Sequence, residues 1–450
     1  MPRWMLMAQL LVCSVPNPGH FNPMLTLSRH LAAAGHTILF YTAETFQSKV
    51  EASGFKFVSL TGKANYDYRR QEDYFPDRNS VPPGPEWLNL AVRALFSEPL
   101  VDQYRGLEQI LRTRSIDLIL IDTLFFGAIP LLLGPRSKRP PVVCCGVNPM
   151  LLTGIDAGPT APLARTAAER ETVQRANRKF IEVFAPFALR LNEKLREVGS
   201  PLLSVPPFDC FYTLPDLVLQ FSIPEFEFAP SDRPSSVHFV GPILPKGTEA
   251  FEEPSWWRDL DGDRPVVLVT QGTLANTDLT ELIEPSLSAL TSEDVLVIAA
   301  TGRTEAVISA VPRNARVVPF VPFDRLLPKV SVFVTNGGYG AVNQALAAGV
   351  PVITAGETED KGWVSQRVAW SGAGINLETS RPTERQIRSA VLEALSNSSY
   401  RRIAGALRQK ITQHNALEAV AEAVDSLLLS TAPTELSVAY KTIHLQGART

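Results

Sequence analysis

The sequence is poor in most of the features that mark a specialised class of protein. It holds 4 cysteines in 450 residues, Cys13, Cys144, Cys145 and Cys210, with one adjacent pair and no C-x-x-C. That spacing excludes a disulfide framework and a cysteine-based zinc site, and it fits a reducing cytoplasm. Nor is there an excess of positive charge. Lys and Arg number 43 against 46 Asp and Glu, a formal net charge of -3, which gives no field to draw nucleic acid and no acidic tail for a cationic partner. Small molecules are the expected partners. No uninterrupted apolar run has the length of a membrane span. The longest apolar stretch, Leu118 to Gly134, carries Asp122 and Pro130 inside it and reads as a buried strand followed by a buried helix. The N-terminal run Leu6 to Val15 is interrupted by Pro16, Asn17 and Pro18 without a small-residue cleavage site. It reads as a first strand, not a signal peptide.

What is present is a long chain of ordinary globular composition, 45% hydrophobic and 20% charged, and that length calls for two domains. Short β-branched or leucine-rich runs alternate with helical periodicity throughout, the pattern of an α/β protein with parallel sheets. In the first half strands are expected near Leu6 to Cys13, Thr37 to Tyr41, Phe55 to Ser59, Asp117 to Ile121, Val142 to Gly146 and Leu217 to Gln220. A helix over Asn22 to Ala34 ends at Gly35. From Arg165 to Val198 the apolar positions Val173, Phe180, Phe184, Phe187, Leu191 and Leu195 recur at helical spacing, with a kink expected at Pro186. This helix packs on the first domain, or else walls an acceptor pocket or rests weakly on a membrane surface. A proline-rich passage, 223–263, reads as a linker between an N-terminal domain, 1–222, and a C-terminal domain, 264–430. Strands of the second domain are expected near Pro265 to Thr270, Val295 to Ala299, Arg316 to Pro319, Ser331 to Thr335 and Pro351 to Thr354. Residues 431–450 lack periodicity and read as a loose tail.

Two places can carry chemistry. In the first turn, Ser14-Val15-Pro16-Asn17-Pro18-Gly19-His20, His20 stands between strand and helix, where ligands sit in open α/β sheets. A neutral imidazole there can act as a general base. Asp122 ends a strand that reaches the same sheet edge if both run parallel, and from there it would orient the ring and stabilise its charged form. Taken singly, a turn histidine and an N-cap aspartate account for the two residues equally well. In the second half, a buried strand runs into Asn336-Gly337-Gly338-Tyr339-Gly340 and then a helix beginning at Ala341. Glycines allow close backbone approach, and free N–H groups at a helix start suit an anion such as a diphosphate, though glycines also serve plain turns. Gln271-Gly272-Thr273 follows another strand and would face the same anion. The tripeptide Asp261-Gly262-Asp263 has a metal-binding form, but its place in a turn of the linker argues against a metal there.

From Val317 to Leu377 the chain resembles the donor-site signature of the family 1 glycosyltransferases, the UDP-glycosyltransferase and macrolide-glycosyltransferase group, carried by TNGGYGAVNQALAAGVPVITA. The N-terminal PNPGHFNPML resembles the first-turn motif of that family. The resemblance implies a GT-B fold, two Rossmann-like domains facing across a cleft, with the acceptor held mainly by the first and a nucleotide-sugar donor by the second. It implies that His20 is the base and Asp122 its partner in a single inverting displacement. Thr273, the backbone of Gly337, Gly338 and Gly340, and the helix dipole would meet the leaving-group charge, so neither metal nor cofactor is called for. Donor contacts are further implied for Gly272, Phe320, Val321, Asn336, Ala341, Gln344, Asp360 and Lys361.

Departures from the family pattern gather at the donor. Asn336 stands for the usual histidine, Gln344 for the ribose-gripping glutamate, Asp360-Lys361 for an aspartate-glutamine pair, and Phe320 near the usual tryptophan. UDP and dTDP sugars both stay open, and Lys361 either contacts the donor or pairs with Glu357 or Glu359. The acceptor is expected to be a small apolar or aromatic molecule; aromatic residues between Tyr66 and Phe96, Trp87 among them, would suit it, although loop packing explains most of them. A monomer or homodimer is expected. Two other readings fit: a catalytically silent sugar-nucleotide-binding auxiliary protein and a nucleotide-sugar epimerase. A dehydrogenase does not fit, because the first turn has a single glycine in place of G-x-G-x-x-G.

Overall fold

Runs that are apolar at every position, such as Leu118–Ile121 or Val266–Val269, form strands buried on both faces, as parallel sheets covered by helices require. The computed structural model describes residues 7–81, 85–245, 251–272, 276, 278–304, 308 and 310–429. The chain divides into two units.

In the first unit the strands are β1 (Gln9–Cys13), β2 (Thr37–Thr42), β3 (Lys56–Ser59), β4 (Leu118–Asp122), β5 (Val142–Gly146), β6 (Leu217–Gln220) and β7 (Val237–Phe239). They form one sheet in the order β3-β2-β1-β4-β5-β6-β7, parallel at every pairing. The second unit holds β8 (Val266–Thr270), β9 (Leu296–Ala300), β10 (Ala315–Val318), β11 (Val332–Thr335), β12 (Val352–Thr354) and β13 (Gly374–Asn376). Their order is β10-β9-β8-β11-β12-β13, again parallel throughout. In both sheets the chain winds outward from a first strand, then returns to that strand's other side. The crevice of each doubly wound sheet therefore opens between β1 and β4, and between β8 and β11.

The expected strands are all present to within a few residues. The helix of the first turn starts earlier than expected, at Pro18 and not Asn22, because Asn17 caps it by accepting from Gly19 N–H at 3.1 Å and Pro18 supplies the first helical residue. The long periodic stretch is two helices, Ala167–Val183 and Ala185–Glu197, that break at Phe184, two residues before Pro186.

The domain boundaries need correction. Ser222–Phe228 belongs to the second unit, Ala229–Ile243 returns to the first, and the second resumes at Leu244. The supposed linker thus contains β7, a strand of 3 residues too short to show a period among its prolines. Residues 416–429, expected within the second domain, form the helix Ala416–Leu429, which belongs to the first unit. Its apolar face, Val420, Val424 and Leu427, enters the same core as Leu10, Val12, Phe21 and Leu31. Periodicity shows that such a helix has an apolar face, not what covers it. The tail expected over 431–450 lies outside the described residues. No helix among the described residues is long and apolar enough to cross a membrane.

Candidate active site

In the first unit, parallel pairing of Cys13 with Ile121 brings the ends of β1 and β4 side by side. Asp122, the last residue of β4, is fully buried. Its Oδ2 accepts from Val15 N–H at 2.9 Å and from the Ser14 hydroxyl at 3.0 Å, so one carboxylate oxygen holds the turn between β1 and its helix. His20, in the first turn of that helix, points Nδ1 at the same oxygen from 3.5 Å, with 12% of its side chain exposed. At that distance the contact is electrostatic and not a hydrogen bond. Neither His20 Nδ1 nor Asp122 Oδ1 has a hydrogen-bond partner. A ring that becomes protonated would therefore gain a buried counter-charge beside it.

The backbone after Asp122 is strained. Leu124 has φ of 83°, at the third position of a turn closed by Phe125 N–H on Asp122 C=O, where glycine is the usual residue. The neighbouring Thr123 donates its hydroxyl to buried Asn148.

In the second unit, pairing of Thr270 with Thr335 sets the two glycine turns next to each other. The Asn336 side chain donates to the Gln271 carbonyl and ties the turns together. The amide that replaces the family's histidine is thus committed to the fold. Gly272 and Gly337 have φ of 72° and 90°, conformations that need glycine. Gly338 caps the helix Tyr339–Ala348, which includes Gly340 and Ala341.

A pocket beside these turns is lined by Gln271, Glu281, Leu282, Asn336, Ala355, Gly356, Thr358, Lys361 and Ser380. Gly356 is there because space allows nothing larger: a Cβ would stand 2.0 Å from the Asn336 carbonyl oxygen. Lys361 is 6% exposed and its ammonium pairs with Glu359, which has φ of 57°. Of the two open alternatives for Lys361, pairing with Glu359 is therefore present. Asp360 is the N-cap residue of the helix Lys361–Ser371.

Other expected donor residues do not line this pocket. Phe320 is 60% exposed, Val321 packs against the second unit's core, and Gln344 donates back to Gly340 C=O at 3.2 Å within its own helix. Thr273 lies outside the described residues. Gln271, in the turn expected to face the anion, does line the pocket, whereas Gly356 and Ser365 were missed by sequence reasoning. The buried Ser365 hydroxyl, without a partner, would lie 3.0 Å from a Cβ at Gly337, and only the fold brings these two together. Asp261 of the D-x-D tripeptide pairs with Lys329, and no cluster suited to a metal ion occurs among the described residues. In the aromatic stretch, the Tyr66 ring lies tilted against Tyr74 with centroids 4.3 Å apart, and Phe75 meets Trp87 edge-on at 5.6 Å, which is the loop packing expected for most of these rings.

Comparison with known proteins agrees with this architecture. A family profile described as Erythromycin biosynthesis protein CIII-like, C-terminal domain, matches residues 284–427. The chain is 36% identical over 430 residues to 4'-demethylrebeccamycin synthase of Lentzea aerocolonigenes, covering 93% of this chain and 98% of that protein. It is 31% identical over 435 residues to UDP-glycosyltransferase 2 of Phaeomoniella chlamydospora, covering 93% and 95%. Among solved structures, the calicheamicin glycosyltransferase CalG4 superposes with a TM-score of 0.71 at 23% identity, over 95% of this chain and 100% of that one.

Proposed function

Since the chain belongs to the family 1 glycosyltransferases, enzymes of GT-B fold, we propose that it transfers a sugar from a UDP- or dTDP-sugar to a hydroxyl of a small apolar or aromatic natural product, with inversion at the anomeric carbon. The observation that carries this reading is His20 at 3.5 Å from the buried Asp122, at the crevice of the first sheet.

With Nδ1 turned to Asp122, the proton of the neutral ring belongs on Nδ1 and the lone pair of Nε2 is left to act as base. Nε2 takes the proton of the acceptor hydroxyl. The freed oxygen forms its bond to the anomeric carbon as the bond from that carbon to the phosphate oxygen breaks, and the nucleoside diphosphate leaves with the electron pair. One displacement inverts the configuration. Charge gathers on the leaving phosphate, where the helix start at Gly338 and the N–H groups after it supply partial positive charge without a metal. The bonds from Val15 N–H and the Ser14 hydroxyl hold Asp122 in place, and Asp122 offsets the imidazolium once formed.

A bound donor stabilises the folded state by mass action. Thermal unfolding with UDP, dTDP and GDP sugars should therefore single out one nucleotide, and product analysis with that donor gives the anomeric configuration. His20→Ala should lose transfer by about 10²- to 10⁴-fold while keeping its donor-dependent shift. Undiminished transfer by that variant would falsify the mechanism. A cytoplasmic location belongs to the same proposal, supported by 4 cysteines without disulfide spacing.

A further inference from the structure

Glu227 is a carboxylate at 1% exposure with no place in the mechanism above. It lies in Ser222–Phe228, the short segment that joins the second unit between two stretches of the first. Its Oε2 accepts from Arg367 Nε at 2.7 Å, and both side chains are wholly removed from solvent. Its Oε1 accepts from the Tyr339 hydroxyl at 2.5 Å. Arg367 also donates to Trp363 C=O at 3.0 Å and lies over the Phe228 ring, 4.4 Å from its centroid.

Tyr339 and Arg367 stand on the two helices that carry the expected donor contacts. Tyr339 is the first residue of the helix Tyr339–Ala348, set between Gly338 and Gly340. Arg367 is on the helix Lys361–Ser371, whose first residue lines the pocket. A buried ion pair adds little stability over apolar residues of the same volume, and its best-attested use is to fix one arrangement among several. This one ties the first residue of one helix to the middle of the other.

We propose that Glu227 is a positioning residue for the nucleoside diphosphate. By holding Tyr339 and Arg367 on one carboxylate, it sets the direction of the N–H groups at Gly340 and Ala341 and the place of Lys361 relative to them. Glu227 itself does not touch the ligand. The inference rests on the reading of the second unit as the donor site.

The test is calorimetric titration of UDP and dTDP into the full chain, well below its unfolding temperature. Tyr339→Phe deletes one oxygen and leaves the ion pair. It should raise the Kd of the preferred nucleotide about 3- to 30-fold. Glu227→Gln should do at least as much where it folds; where it does not, Tyr339→Phe decides. Ile411→Val, in the same core but away from the network, should lower stability and leave Kd unaltered. An unchanged Kd for Tyr339→Phe overturns the inference, and so does an equal rise in Ile411→Val, which would make the effect one of general stability. If the parent chain binds neither nucleotide, the donor-site reading fails and takes the inference with it; binding by the parent with no change in the variants removes the inference alone.

Discussion

One oxygen of Asp122 both closes the turn after β1, through Val15 N–H at 2.9 Å and Ser14 Oγ at 3.0 Å, and faces Nδ1 of His20 at 3.5 Å. The turn and the base are thus placed by the same carboxylate. Asp122→Asn can keep the two turn bonds through its amide oxygen but offers no charge to an imidazolium. We expect kcat to fall about 10²- to 10⁴-fold with the unfolding temperature little altered. Steady-state kinetics and a melting curve check both parts, and a kcat within a few-fold of the parent would mean that His20 works without Asp122.

Asp209 should make stability depend on pH in the opposite sense to a paired surface carboxylate. Burial pushes its carboxyl up from the ordinary 3.8 to about 6, against the bonds donated by Thr153 N–H at 3.1 Å and Thr153 Oγ1 at 2.5 Å. The folded state therefore holds the proton more tightly than the unfolded chain. The contribution is fully present below pH 3.8 and is lost as pH rises through about 6, a change of about 3 kcal/mol at most. Asp209→Asn should remove that slope, so urea midpoints of variant and parent should diverge between pH 5 and pH 7, the variant being the more stable at the upper end. Parallel curves would show that the carboxyl titrates normally.

Glu98 has the opposite sign. Burial alone would raise its pKa, but hydrogen bonds from Arg190 and Lys63 and the charge of Lys194 hold it down at about 2. Its stabilisation is present above 4.5 and is lost as pH falls through about 2. With its side chain 20% exposed, solvent screening reduces the effect to about 1–2 kcal/mol. Acid unfolding of Glu98→Gln should begin from a lower stability at pH 6 and fall less steeply toward pH 2 than the parent. A variant as stable as the parent at pH 6 would place these ion pairs among those that contribute nothing.

The sequence was informative where a signal is local. Strands buried on both faces are legible because nearly every position is apolar, so β5 and β6 were bounded to the residue, and the Asn-Pro-Gly-His and Asn-Gly-Gly-Tyr-Gly turns stand out because each joins a strand to a helix. What it could not give depends on partners distant along the chain. β7 and β13 have 3 residues each, less than a period can register. The last helix carries an obvious apolar face, yet only the fold shows that Leu10 and Phe21 cover it. Arg367 reads as one more charge in a helix until Glu227, 140 residues earlier, is set against it. Asn336 and Gln344 were read by resemblance as donor contacts, and only the fold shows that their amides also donate to the Gln271 and Gly340 backbone carbonyls. Local pattern gives residue type and element, and the geometry of a side chain is settled by its neighbours in space.

Gly340 separates a glycine kept for the fold from one kept for a ligand. Gly337 needs its hydrogen side chain structurally, since φ is 90° and a Cβ would meet Ser365 Oγ at 3.0 Å. Gly337→Ala should therefore cost about 1–3 kcal/mol whatever the site binds. Gly340 is different: it lies inside the helix Tyr339–Ala348 and a Cβ there would meet nothing within 4 Å. Gly340→Ala should stabilise the ligand-free protein by about 0.5–1 kcal/mol through the lower entropy of its unfolded chain. If that open space is where the diphosphate meets the backbone, the added methyl group must be accommodated by the ligand, and nucleotide Kd should rise although the protein is more stable. Chemical denaturation and calorimetric titration of one preparation measure both quantities. Higher stability with unchanged or tighter nucleotide binding would show that the diphosphate does not approach the helix at Gly340.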